Sequence, residues 1–139
     1  MAVIGPGDEP TVAAAEVGRL LAEHGVTLVC GGRGGAMEAA CRGAKEADGL
    51  TVGILPGSDR SDANPFVDIV LPTGLGEARN ALVVGAADVV IAIGGGYGTL
   101  SEIALALKAG KRVIGLGTWD IEGVVAAEDP EAAVAAALS

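Results

Sequence analysis

Val89-Val90-Ile91-Ala92-Ile93-Gly94-Gly95-Gly96-Tyr97-Gly98-Thr99-Leu100-Ser101-Glu102 is the stretch that decides the fold. Its five leading apolar residues read as a strand buried on both faces, because a strand with one wet face would alternate. Glycines then fill four of the next five positions. An Ala/Leu-rich segment of helical period follows from Thr99 to Ala109, with Leu100, Ile103, Ala104 and Leu107 on one face and Gly110 as its stop. Buried strand, glycine turn and helix, in that order, form the repeating unit of a parallel α/β sheet.

The same alternation runs outward in both directions. Ala2 to Ile4 reads as the first strand, followed by a helix that opens at Pro10, turns Val17, Leu20 and Leu21 inward and stops at Gly25. His24, on its last turn, suits the negative end of the helix dipole and reads as a cap. Val26 to Cys30 is a second strand. Gly31-Gly32-Arg33-Gly34-Gly35 leads from it into a helix over Ala36 to Ala47, ended by Gly49, and Leu50 to Leu55 is a third strand. Pro56 to Pro65 is a polar, turn-forming loop. Val67 to Leu71 is a short strand, Gly76 to Ala86 a helix, Val113 to Leu116 the last core strand, and Asp129-Pro130 caps a short C-terminal helix. Right-handed crossovers make this an α/β, doubly wound parallel sheet, a three-layer sandwich in a single domain over residues 1–139, with ligands expected at the carboxyl ends of the strands.

Composition narrows the function. The chain has 139 residues, 50% hydrophobic and 2% aromatic, and 9 Lys plus Arg against 18 Asp plus Glu leave a net charge of −9. A surface of that sign repels a polyphosphate backbone, so no nucleic acid is expected as main partner. No apolar run approaches the roughly 20 residues of a membrane span. No basic, apolar leader is visible, so the expected compartment is the cytoplasm. Cys30 and Cys41 lack CxxC spacing or a histidine partner and read as reduced, buried small residues, with no metal site expected.

Three glycine loops fall at one sheet edge: Gly5-Pro6-Gly7, Gly31 to Gly35 and Gly94 to Gly98. Glycines between a buried strand and a helix let the backbone approach a ligand, and the free amides of the first helical turn attract phosphate. A phosphate is expected on the amides of Gly95, Gly96, Gly98 and Thr99, with the Thr99 hydroxyl as an extra donor. Global charge does not oppose this, because it is screened over roughly 8 Å. The loop lacks the lysine of a nucleotide triphosphatase, and Gly5-Pro6-Gly7-Asp8-Glu9-Pro10 puts proline where a dinucleotide fingerprint needs its third glycine. A mononucleotide-sized ligand fits better. Glu102 completes a Thr99-Leu100-Ser101-Glu102 capping box or else faces the ligand. Arg79 is either a solvated helix residue or a bidentate phosphate partner. Trp119, the only tryptophan, either packs over the sheet edge or stacks on a ligand base.

These residues carry a family resemblance over nearly the whole chain. Gly94-Gly95-Gly96-Tyr97-Gly98-Thr99-Leu100-Ser101-Glu102 resembles the PGGxGTxxE motif of the Lonely Guy family, Rossmann-like proteins formerly labelled lysine decarboxylases. Gly31-Gly32-Arg33-Gly34-Gly35-Ala36-Met37 is similar to its second glycine loop, and Gly76-Glu77-Ala78-Arg79-Asn80 to its arginine segment. The branch of molybdenum-cofactor-carrier-like proteins, which shares the GEARN and GGGYGTLSE forms, is the better match. The resemblance implies two activities. One is cofactor-free hydrolysis of the N-glycosidic bond of nucleoside 5′-monophosphates, with Arg79 and Glu102 catalytic. The other is carriage, without chemistry, of the molybdenum cofactor or a similar phosphorylated pterin. Either way the ligand is small and phosphorylated, AMP-like or a pterin phosphate. The residues implied to bind it are Gly31, Gly32, Gly35, Met37, Asn80, Gly94, Gly95, Gly96, Tyr97, Gly98 and Thr99. The family motif has proline at the position of Gly94 and lysine at that of Asn80. A decarboxylase is excluded by its need for a Schiff-base lysine, since Lys45, Lys108 and Lys111 adjoin no glycine loop. Pairing of relatives through helices, with the Ala-rich surfaces of Ala81 to Ala87 and Ala104 to Ala109, implies a homodimer or higher homo-oligomer.

Overall fold

The computed structural model describes residues 1–9 and 11–139. Seven parallel strands form one sheet in the order β4-β3-β2-β1-β5-β6-β7. The strands are β1 (Ala2–Ile4), β2 (Leu28–Cys30), β3 (Thr51–Leu55), β4 (Ile69–Pro72), β5 (Val89–Ile93), β6 (Arg112–Leu116) and β7 (Val124–Ala127). Five α-helices connect or cover them: α1 (Val12–Glu23), α2 (Ala36–Glu46), α3 (Asn80–Gly85), α4 (Tyr97–Lys108) and α5 (Pro130–Leu138). This is the doubly wound, Rossmann-like sandwich the sequence implies, with the order reversing between β1 and β5.

Alternation along the strands sorts the core into two layers. Val89, Ile91 and Ile93 of β5 face α1, α2 and α5 and pack with Val17, Leu21, Ala40 and Val134, while Val90 and Ala92 face α3 and α4 with Val83, Ile103 and Ala106. The first layer is thin because α1 and α2 touch through glycine: a Cβ on Gly18 would lie 1.9 Å from the Ala40 carbonyl oxygen, and one on Gly43 1.9 Å from that of Ala15.

Several boundaries differ from the sequence reading. Pro10, the expected helix start, lies outside the described residues; α1 is capped by Thr11, whose hydroxyl accepts from the Ala14 amide at 3.0 Å. His24 caps the other end, its Nδ1 donating to the Leu20 carbonyl at 2.8 Å. The expected helix over Gly76 to Ala86 is a 3-10 turn, Gly76–Arg79, running into the six-residue α3. The polar loop holds one 3-10 turn, Arg60–Asp62, nucleated by Asp59, which accepts from the Ser61 amide. A seventh strand, β7, which the sequence did not announce, follows Val113–Leu116 as a half-exposed edge, so the latter remains the last core strand. Asp129 caps α5 through the Ala132 amide at 2.7 Å, and Ala133, Val134 and Ala137 dock that helix into the core.

Candidate functional site

The chain reversal between β1 and β5 opens a cleft of about 640 Å³ at the carboxyl ends of the strands. Its walls are the three glycine loops and the Gly76–Arg79 turn. Of the sequence-derived site residues, Met37, Arg79, Asn80, Gly96, Gly98, Thr99 and Glu102 line it. The others stand behind it or beside it. Gly31 seats the arginine, since a Cβ there would lie 2.8 Å from both an Arg79 η-nitrogen and the Met37 sulfur. Gly32 (φ +76°) lies against β3. Gly35 (φ +62°) packs on the first loop, 2.4 Å from the Pro6 carbonyl oxygen to a notional Cβ. Gly94 (φ +68°) turns the chain out of β5, with its amide on the Leu116 carbonyl at 3.2 Å. Gly95 lies under Trp119, and Tyr97 is 84% exposed.

Helix α4 begins two residues earlier than its sequence suggested, with Gly96 as N-cap. The first intrahelical bond is Leu100 amide to Gly96 carbonyl, 2.9 Å, so the amides of Tyr97, Gly98 and Thr99 precede it. The Thr99 hydroxyl is buried in the cleft wall without a hydrogen-bond partner. A dipole, free amides and an orphan hydroxyl together make an anion cradle.

The shifted start also overturns the capping box. Thr99 sits inside the helix, so Glu102 is not its reciprocal cap; instead Thr99, Glu102, Ile103 and Ala106 form the buried face, and Ala104, expected to be buried, is exposed. Glu102 is 6% exposed and lines the cleft with Arg79. Burial pushes its carboxyl up to about 7, with Arg79 pulling it down and Glu77 adding to the rise. Arg79 is half-buried; its Nη1 donates to the Asn80 Oδ1, and its Nε is buried and unpaired. The asparagine that stands where the family motif has lysine thus orients the arginine instead of adding a charge.

Pro6 and Arg33, on glycine loops that the sequence places at this edge but not themselves named as site residues, line the cleft, and so do Asp8 and Glu77, which sequence reasoning missed. Arg33 brings a second guanidinium to the lining, and Asp8 and Glu77 bring two carboxylates. The polar loop braces this side: Asn64 Nδ2 donates to the Arg33 carbonyl at 2.8 Å, and the Asn64 amide to that of Gly32 at 2.9 Å. Its first residues anchor the arginine turn, with the Gly76 amide on the Pro56 carbonyl at 2.9 Å. Behind the second glycine loop, Cys30 and Cys41 are buried free thiols 3.5 Å apart; the hydrogen bond between them, then burial, pushes the Cys41 thiol up. No lysine lines the cleft. No group of three or more His, Cys, Asp or Glu side chains placed to hold a metal ion occurs among the described residues, and no described helix is long and apolar enough to cross a membrane.

The model of the SLOG cluster4 family matches residues 1–138. An uncharacterized protein of Archaeoglobus fulgidus is 51% identical over 136 residues, covering 95% of this chain and 89% of that one. Among solved structures, the molybdenum cofactor binding protein of the phototrophic bacterium Rippkaea orientalis superposes with a TM-score of 0.91 at 44% identity, over 97% of this chain and 92% of its own. The molybdenum cofactor carrier protein of Chlamydomonas reinhardtii gives 0.88 at 42% identity, with the same coverage.

Proposed function

The chain belongs to the SLOG cluster4 family, and from that premise we propose that residues 1–139 act as one domain that binds a phosphorylated pterin of the molybdenum-cofactor class and carries it without chemistry. The observation that carries this reading is the cradle at the start of α4: the amides of Tyr97, Gly98 and Thr99 with the buried, unpartnered Thr99 hydroxyl. Arg79 and Arg33 line the same cleft and supply charge to it, and its volume of about 640 Å³ falls within the usual 300–1,000 Å³ for small-ligand sites. The protein holds the organic part and its phosphate; Met37 is the one sulfur-bearing side chain in the walls, so the metal travels on the cargo. The likeness to the Rippkaea and Chlamydomonas proteins supports cargo of this class.

The test is anoxic gel filtration of the protein with cofactor released from a molybdoenzyme, reading pterin fluorescence and molybdenum in the protein peak. Stoichiometric co-elution is expected, and its absence at micromolar protein refutes the reading.

A second reading, hydrolysis of nucleoside 5′-monophosphates, is favoured by one observation: Glu102 is buried beside Arg79 with its carboxyl poised near neutrality. Ionised, it stabilises positive charge developing at C1′ or orients the attacking water; Arg79, a guanidinium, positions phosphate and donates no proton. Release of adenine from AMP that Glu102→Ala abolishes decides for it. The Ala-rich surfaces of Ala81 to Ala87 and Ala104 to Ala109, where Leu82 and Ala104 are exposed, are read as the homo-oligomer contact, and light scattering reports the assembly.

A further inference from the structure

A second cleft, of about 340 Å³, opens at the carboxyl ends of β6 and β7. It shares no wall residue with the first, and the two meet at Trp119, whose Nε1 donates to the Gly96 carbonyl at 3.2 Å. Its walls combine small residues, Gly117 and Ala126, with the indole, Thr118 and Asp120. At that volume it accepts one bicyclic ring system.

Three observations outside the phosphate cradle converge here. The chain has one Phe, one Tyr and one Trp, and two of these three aromatic side chains lie exposed at this point, Tyr97 at 84% and Trp119 at 37%. Their rings stack on each other, with centroids 6.2 Å apart and planes 28° from parallel. Aromatic rings stabilise a fold most when buried, so leaving two in water at one spot suits a surface that stacks something. The Thr118 hydroxyl in the wall is buried without a partner, which native folds rarely leave unanswered. Asp120, exposed at the opening, only accepts hydrogen bonds when ionised, and so favours a ring edge that carries N–H groups.

We propose that this slot is a second binding site, for a planar nitrogen heterocycle with an N–H-rich edge, such as a purine or pterin ring, stacked on Trp119 and donating to Asp120. It does not depend on the phosphate cradle. A phosphate-free probe therefore tests it separately from the carrier reading.

The probe is guanosine, titrated into isotope-labelled full-length protein by NMR, with purine riboside, which lacks the N–H edge, as comparison. Expected are shifts of the Trp119 indole N–H and the Thr118 and Ala126 amides at millimolar guanosine, with binding roughly tenfold weaker for purine riboside and for Asp120→Ala. Ala126→Tyr fills the slot from an exposed position on β7 and abolishes the shifts, while the resonances of the Gly96 to Glu102 segment stay in place and report an intact fold. No shift at the slot, shifts confined to the first cleft, or equal binding of the two nucleosides overturns the proposal.

Discussion

Replacing Glu102 by glutamine should stabilise the protein in a strictly pH-dependent way. The buried carboxyl is pushed up to about 7 from an ordinary value of 4.5. Below 4.5 both folded and unfolded chains hold the proton, and the wild type loses nothing. Between 4.5 and about 7 the folded chain holds a proton the unfolded chain has released, so stability contributed by the neutral acid falls as pH rises, by about 1.4 kcal/mol per pH unit. Above 7 the loss levels off at roughly 3 kcal/mol. Glutamine keeps the shape and never ionises. The advantage of Glu102→Gln over wild type is therefore near zero at pH 4, roughly half complete near pH 6 and full at pH 8.5. Urea denaturation of both proteins at matched pH values measures it, and the difference between them cancels the opposite contributions of Asp59 and Asp68, whose hydrogen-bonded carboxyls are held low. A difference that stays flat from pH 4 to pH 8.5 would show that the Glu102 carboxyl is not withdrawn from water, and would remove the basis for its buried placement beside Arg79.

Other substitutions separate binding from folding. A Cβ on Gly98 meets nothing within 4 Å, so Gly98→Ala should leave thermal stability within about 1 kcal/mol of wild type, yet weaken inorganic phosphate binding, read by calorimetry, about tenfold. Gly43→Ala should do the reverse: its methyl collides with the α1 backbone, costing about 3 kcal/mol in urea denaturation. Removing the α5 cap with Asp129→Ala should cost about 1 kcal/mol, seen as a lower melting temperature in calorimetry.

The fold was legible where burial is symmetrical. β1 and β5 lie on the residues the sequence assigns, because an uninterrupted apolar run next to glycine admits one reading. β7 was not visible: Val124-Val125-Ala126-Ala127 is a half-exposed edge with two alanines, held by pairing to β6 rather than by its own propensity. The start of α4 decides the site and was misplaced by two residues. Thr99 and Glu102 have capping-box spacing, but the glycine-rich turn tightens enough for Gly96 to cap without a side chain, which rotates both residues into the cleft. Arg79 and the α4 loop could be read from motif and charge. The meeting of the three glycine loops at one edge was legible too, but not that the side chains of Arg33, Asp8 and Glu77 line the cleft, because side-chain direction within a loop follows from no periodicity.

That strand order also fixes a schedule. Ala2 pairs with Val90, so the central pair of the sheet joins positions at opposite ends of the first ninety residues, and nothing local closes that gap. During synthesis the half containing β1 to β4 emerges with one flank of β1 bare, and that flank must wait for β5. The ligand cleft is consequently among the last features to assemble, and cargo can reward only a chain that has already finished folding.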